Sequence, residues 1–252
     1  MCTNFTSTHQ RDWIEAKLKR KLPSEFPLEA FPGYVAPVWK SNQSKLESEI
    51  TLARFGLIPS WAKDSKIARH TYNARSETVK EKPSFKSAYH QRRFAVVLLD
   101  DFFEPCYEGG QIVRYRIKTQ NGEPFGVACL WESWRDPLAN GAPQTVQTFS
   151  MLTLNADAHP VMNKMHAPGD EKRTPLVLSV DQFEPWLTAN HDQAQALLTG
   201  RYMPELMSEP APQVRPKREK PATSGRKTPK SAQEDTPLQG GLFDERENQS
   251  AS

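Results

Sequence analysis

Cysteine is scarce in this sequence, with only Cys2, Cys106 and Cys129 among 252 residues. An odd number of thiols without metal-ligand spacing argues against a disulfide framework and a structural zinc site, and suits a reducing cytoplasm. No apolar run is long enough to cross a bilayer. The opening residues, Met1-Cys-Thr-Asn-Phe5, have neither the basic nor the apolar region of a secretory signal. Internal repeats are absent too. Charge is nearly balanced: a net +3 permits nucleic-acid binding without requiring it, because affinity follows local clustering rather than the total.

What is present falls into two stretches. Residues 1–206 read as a single α+β domain of mainly antiparallel strands with short helices. Trp13, Ile14, Leu18 and Leu22 recur at roughly helical spacing, predicting a helix over 10–22. Strands are expected over 48–58, 94–99, 112–118, 125–131 and 146–154; the clearest alternates Val113, Tyr115 and Ile117 with Arg114, Arg116 and Lys118. A short helix fits 85–92, Asp181 is placed to cap another, and Gly200 to end one starting near His191. From 207 to 252 the chain is mostly Pro, Ser, Lys, Arg, Glu and Gln, with Phe243 as its only aromatic. Such a tail buries too little apolar surface to offset its backbone entropy, and disorder is expected there. Its basic residues, Arg215 to Lys220 and Arg226 to Lys230, read either as a solvated tail or as a nonspecific DNA-contacting arm.

Cys2 carries the most distinctive chemistry. Its small side chain permits removal of Met1, which would leave an α-amine and a thiol on adjacent carbons. Such a 1,2-aminothiol reacts with an aldehyde twice: the amine condenses to an imine, then the thiol adds to the same carbon and closes a thiazolidine. An internal cysteine cannot do this, because its nitrogen is an amide. An α-amine with a pKa near ~7.7–8.0 is partly unprotonated at neutral pH, whereas a lysine near ~10.4 is almost wholly charged. No metal or organic cofactor is required.

A series of motifs follows in order: Phe55-Gly-Leu-Ile-Pro-Ser-Trp-Ala62, Tyr72-Asn-Ala-Arg-Ser-Glu-Thr78, Asp100-Asp-Phe-Phe-Glu104, Ala128-Cys-Leu-Trp-Glu-Ser-Trp134, Phe149-Ser-Met-Leu-Thr-Leu-Asn-Ala156, Met165-His166 and Arg173-Thr-Pro-Leu-Val-Leu178. With Met-Cys at the start, this series resembles the SOS-response-associated peptidase family, also called abasic-site-processing proteins. The resemblance implies that Cys2 attacks the ring-opened aldehyde of an abasic site in single-stranded DNA. It implies that Asn73 holds the reacting terminus, that Glu104 shuttles protons at the amine, and that His166 assists ring opening and crosslink reversal. Trp61, Arg75 and Arg173 become DNA-binding candidates on the same ground.

Plainer roles stand beside these. Asn73 is placed to cap a helix from Ala74, Glu104 to pair with an arginine, Trp61 to fill the core, Arg75 to bind a carboxylate rather than a phosphate, and His159 and His70 compete with His166. The family start Met-Cys-Gly-Arg-Phe is here Met-Cys-Thr-Asn-Phe, removing one expected phosphate contact; Pro105 follows Glu104 where the family commonly has Trp. Six residues separate His166 from Arg173, more than the family spacing. Two other functions use the same features: a thiol autopeptidase that removes Met1, and a noncovalent single-strand-binding module with Cys2 incidental. In the tail, Gln239-Gly-Gly-Leu242-Phe243 resembles the short peptides by which replication and repair proteins dock on the sliding clamp, with an amide to hydrogen-bond and two apolar side chains to fill a pocket. A cytoplasmic, nucleoid-associated location is expected.

Overall fold

The structure, a computed structural model, describes residues 2–42, 47–137, 142–199 and 203–212. Twelve strands among them form one sheet. They are β1 (Phe5–Ser7), β2 (Glu29–Ala30), β3 (Val35–Asn42), β4 (Glu47–Phe55), β5 (Asn73–Arg75) and β6 (Phe94–Glu108). The others are β7 (Gln111–Thr119), β8 (Phe125–Asp136), β9 (Gln144–Asn155), β10 (Arg173–Pro175), β11 (Val177–Leu178) and β12 (Leu206–Pro210). Helices α1 (Arg11–Leu18), α2 (Lys86–His90), α3 (Val180–Thr188) and α4 (His191–Leu197) pack around them. The domain is α+β and mainly antiparallel.

Strand pairing closes on itself. β6 lies between β3 and β8, β8 pairs with β9, β9 with β4, and β4 with β3, a ring of five strands. Alternation along β6 explains why 94–99 is continuously apolar. Ala95, Val97 and Leu99 join an inner core with Phe55, Cys129, Phe149 and Met151. Phe94, Val96 and Leu98 join an outer core under the helices. Both faces are buried, so no polar position interrupts the run. Gly126 of β8 admits α3: a Cβ there would lie 2.3 Å from Val96 Cγ1 and 2.5 Å from Phe183 Cε1.

Several boundaries differ from expectation. α1 stops at Leu18, because Lys19 takes a left-handed conformation (φ 54°) and closes the helix early, although Leu22 is still buried. β6 does not end at Leu99 but runs on through Asp100–Glu104 to Glu108, where its outer half meets β7 on one side and β1 on the other. Two pairings are parallel. β4 and β5 lie end to end on β9, with residues 56–72 leaving the sheet between them. The boundary drawn at 206/207 falls inside β12. That strand is held by backbone pairing to β7 and by Glu209 against Arg116 and Lys118, neither of which registers as apolar content. Gly200, the basic stretches beyond residue 213, and Gln239, Leu242 and Phe243 lie outside the described residues. Among the described residues no helix is long and apolar enough to cross a membrane.

Candidate functional site

The chain start is drawn into the inner core. β1 sits between β2 and β6, with Phe5 opposite Phe102. The Phe5 ring is fully buried and meets Phe55 edge-on at 5.4 Å. Three residues earlier, Cys2 is buried as well, its Sγ 3.6 Å from the Asn4 carbonyl. Asn73 caps no helix; it is the first residue of β5, in register with Met151. From there its Nδ2 donates to the Cys2 carbonyl at 2.7 Å. Burial pushes the Cys2 thiol pKa up, and the nearby charge of Glu104 pushes it further. The thiol is therefore held protonated.

Buried on β6, Glu104 places Oε2 2.9 Å from His166 Nε2. His166 adopts a left-handed backbone (φ 65°) without being glycine, a conformation that costs about 1–3 kcal/mol and persists only where the surroundings enforce it. Here three contacts enforce it. The His166 amide donates to the Pro105 carbonyl at 2.7 Å, Met165 bridges Cys106, and Lys172 Nζ donates to the carbonyls of Met165, His166 and Ala167 at 2.8, 3.2 and 2.8 Å. The competing histidines are elsewhere engaged or exposed. His159 Nδ1 accepts from the amides of Val161 and Met162, and His70 ends an exposed 3-10 turn, Ser65–His70.

Arg75 and Arg173 belong to one charge relay. Arg75, half-exposed, binds Glu171 at 2.6 Å. Arg173, assigned to DNA by its motif, is only 2% exposed and its guanidinium is fully engaged. Nη1 and Nη2 fork onto Glu77 at 3.0 and 2.8 Å, Nη1 also reaches Glu171 at 2.7 Å, and Nη2 reaches the Thr153 carbonyl at 2.6 Å. This geometry turns the Arg173 guanidinium inward onto partners within the protein. Sequence reasoning missed Glu171 and Lys172, which sit in the stretch read only as a long spacer; Glu77 was visible within the Asn73–Thr78 segment but carried no role.

Trp61 is no core residue: it is 58% exposed. It rides on the 56–72 excursion, which has a small core of its own made of Ile58, Ala68 and Trp134. Trp134 Nε1 donates to the Ala62 carbonyl at 2.8 Å, and Thr71 Oγ1 to the Leu57 carbonyl at 2.6 Å. Gly56 (φ +119°) lets the chain leave β4, where a Cβ would sit 2.7 Å from the Ala68 carbonyl oxygen. The described residues contain no cluster of three or more His, Cys, Asp or Glu side chains placed to hold a metal.

These features define a class: an α+β domain, closed around a five-strand ring, that seats the cysteine at its chain start beside a carboxylate–imidazole pair. Residues 1–213 match the family described as SOS response associated peptidase (SRAP), and the chain belongs to it. Among curated relatives, the abasic site processing protein YoqW of Bacillus subtilis (strain 168) is 32% identical over 149 residues, covering 58% of this chain and 61% of that protein. The abasic site processing protein HMCES of Rattus norvegicus is 30% identical over 169 residues, covering 58% of this chain and 46% of that protein. The chain thus matches less than two thirds of either relative's length. A crystal structure of a Bordetella bronchiseptica protein superposes with a TM-score of 0.74 at 25% identity, over 84% of this chain and all of that one. One from Bacteroides thetaiotaomicron gives 0.67 at 21% identity over 83% of this chain and 91% of that one, which speaks to fold alone.

Proposed function

We propose that this protein processes abasic sites by covalent capture: once Met1 is removed, Cys2 traps the ring-opened aldehyde in single-stranded DNA. The observation that carries the reading is the seating of Cys2, its carbonyl fixed by Asn73 and its thiol within the field of Glu104, which is itself paired with His166. The amine attacks the aldehyde carbon first, because the buried thiol begins protonated. Glu104 takes a proton from the amine and returns one to the departing hydroxyl, so that water leaves and an imine remains. The thiol sulfur then adds to the imine carbon and its proton passes to nitrogen, closing the thiazolidine with no oxidant or reductant. His166 exchanges protons with Glu104 and with the sugar oxygen during ring opening and reversal. Trp61 and Arg75 meet the flanking bases and phosphates. Removal of Met1 by the same residues is the autopeptidase part of the proposal.

The deciding experiment mixes purified protein with a single-stranded oligonucleotide carrying one abasic site and resolves the products on a denaturing gel. A slow band is expected that requires both the lesion and Cys2, and that disappears with Cys2→Ala or with a tag left on the terminus. A heat-resistant band from Cys2→Ala overturns the mechanism. Binding without any such band favours the noncovalent module.

For the tail, the proposal is docking on the replication sliding clamp through Gln239, Leu242 and Phe243, which would concentrate the trap at exposed template within the nucleoid. Saturable binding of a 236–247 peptide to the clamp, lost on Leu242→Ala/Phe243→Ala, is the expected result; equal binding by both peptides overturns it.

A further inference from the structure

Two arginines outside the site just described face one cleft. Arg54, near the end of β4, and Arg69, in the 3-10 turn of the excursion, line a cleft of about 190 Å³ with Pro32, Gly33, Ser65 and Ala68. No carboxylate lines it. Asp64, the nearest acid in sequence, is spent on capping the 3-10 turn through the Lys66 amide and on pairing with Lys66 Nζ at 3.5 Å. Among the described residues neither guanidinium has a hydrogen-bond or ion-pair partner, in contrast to Arg173 and Arg75, which are both tied to carboxylates. Two like charges in one cleft repel, and an anion seated between them removes that cost.

The surroundings say which anion. Of the large exposed side chains, two aromatics flank this cleft in sequence: Tyr34, 51% exposed beside Gly33, and Trp61 on the excursion that carries Arg69. The 31–34 turn is clasped to the end of β4, with Gly33 N to Phe55 O at 2.7 Å and Phe55 N to Tyr34 O at 2.8 Å, so Tyr34 is presented on a fixed support. Exposed rings alternating with unneutralised cations are what an unpaired nucleic-acid strand uses, bases stacking on the rings and phosphates meeting the cations. Location agrees. Arg54 is in register with Thr148 of β9 and Asn73 with Met151, three positions along the same strand, or about 10 Å.

We infer that the Arg54–Arg69 cleft is a phosphate subsite for the nucleotides flanking the captured lesion on one side, with Tyr34 stacking a neighbouring base. The inference rests on the single-strand reading of the proposed function and extends its footprint. The test uses the full chain and an undamaged fluorescent oligothymidylate, with anisotropy titrations across a salt series, so its readout survives even if no covalent adduct ever forms. Arg54→Gln/Arg69→Gln is expected to lower the slope of log affinity against log salt by about 0.7 if one phosphate is shared, and by ~1.4 if each arginine holds its own. Arg54→Lys/Arg69→Lys keeps the charge and is expected to retain most of the slope. Tyr34→Ala is expected to weaken binding ~5- to 150-fold with little change in slope, as a lost base stack does. Thermal melts of all three establish that each is folded. An unchanged slope in the glutamine pair, or an equal fall in the lysine pair, overturns the subsite while leaving the crosslinking assay untouched. Failure of the wild-type chain to bind the oligothymidylate overturns the single-strand reading itself.

Discussion

Arg173→Met separates a structural arginine from a DNA-binding one. The substitution keeps much of the aliphatic stem and deletes a guanidinium that forks onto Glu77, reaches Glu171 and satisfies the Thr153 carbonyl. Breaking a fully buried ion pair typically costs ~3–5 kcal/mol. Here Glu77 and Glu171 are 47% and 37% exposed and can rehydrate, so a loss of about 2–3 kcal/mol is expected. At ~2–4 °C per kcal/mol for a domain of this size, the melting temperature should fall by about 5–10 °C in a circular-dichroism melt at pH 7. The pH dependence has a definite sign. Burial pushes the Glu77 carboxyl up, but the hydrogen bonds and charge of Arg173 outweigh it and hold the carboxyl below its ordinary value of 4.5. The pair's stabilisation is thus fully present above that value and lost as pH falls through the depressed one. The gap between wild type and variant should therefore narrow in acid. A melting temperature within ~2 °C of wild type, together with weakened single-strand binding, would refute the inward assignment and put the guanidinium on DNA.

Glu104→Gln is expected to slow adduct formation ~10²- to 10⁴-fold at saturating oligonucleotide; an unchanged single-turnover rate removes its proton-shuttling role. Lys172→Met deletes the ammonium that gathers three carbonyls around His166, and should shift the pH profile of adduct formation and reversal, with Lys172→Arg restoring it; a lower melting temperature with an unmoved profile makes Lys172 merely structural. Glu171→Gln frees Arg75 from its carboxylate, so single-strand affinity should rise and the salt slope steepen by about 0.7; an unchanged slope means Arg75 never meets a phosphate.

Strand 94–99 was legible because burial on both faces leaves an uninterrupted apolar run, and 112–118 because apolar and basic side chains alternate along β7. The ring closure was not legible, since it depends on β6 pairing with β8 and β3 at different separations in sequence, and no local pattern encodes a partner. β12 escaped because its stability lies in backbone bonds and ion pairs. At the site, aminothiol chemistry singled out Cys2 and motif order added Asn73, Glu104 and His166; geometry then tied Cys2 to Asn73 and Glu104 to His166. Arg173 shows the limit of that approach: its residue type suited a phosphate, but two carboxylates distant from or adjacent to it in sequence, Glu77 and Glu171, had already claimed its donors. The plainer reading of Asn73 as a helix cap fails for a similar reason, since nothing near it announces the parallel partner on β9.

The position of β1 also sets a timetable. Phe5 has no strand partner on β6 until Phe102 has been made, and at ~5–20 residues per second of synthesis that interval is on the order of 5–20 s. During it the segment bearing Cys2 has only the two residues of β2 to pair with, too little to bury it, and enzymes working on nascent chains meet it as an open peptide. Once β6 arrives, the same residues are shut inside the inner core. If the proposed capture reaction holds, whatever frees the Cys2 amine has an early, brief opening during translation, and a chain that misses it must process its own terminus or expose it again by undoing one of its central strand pairings.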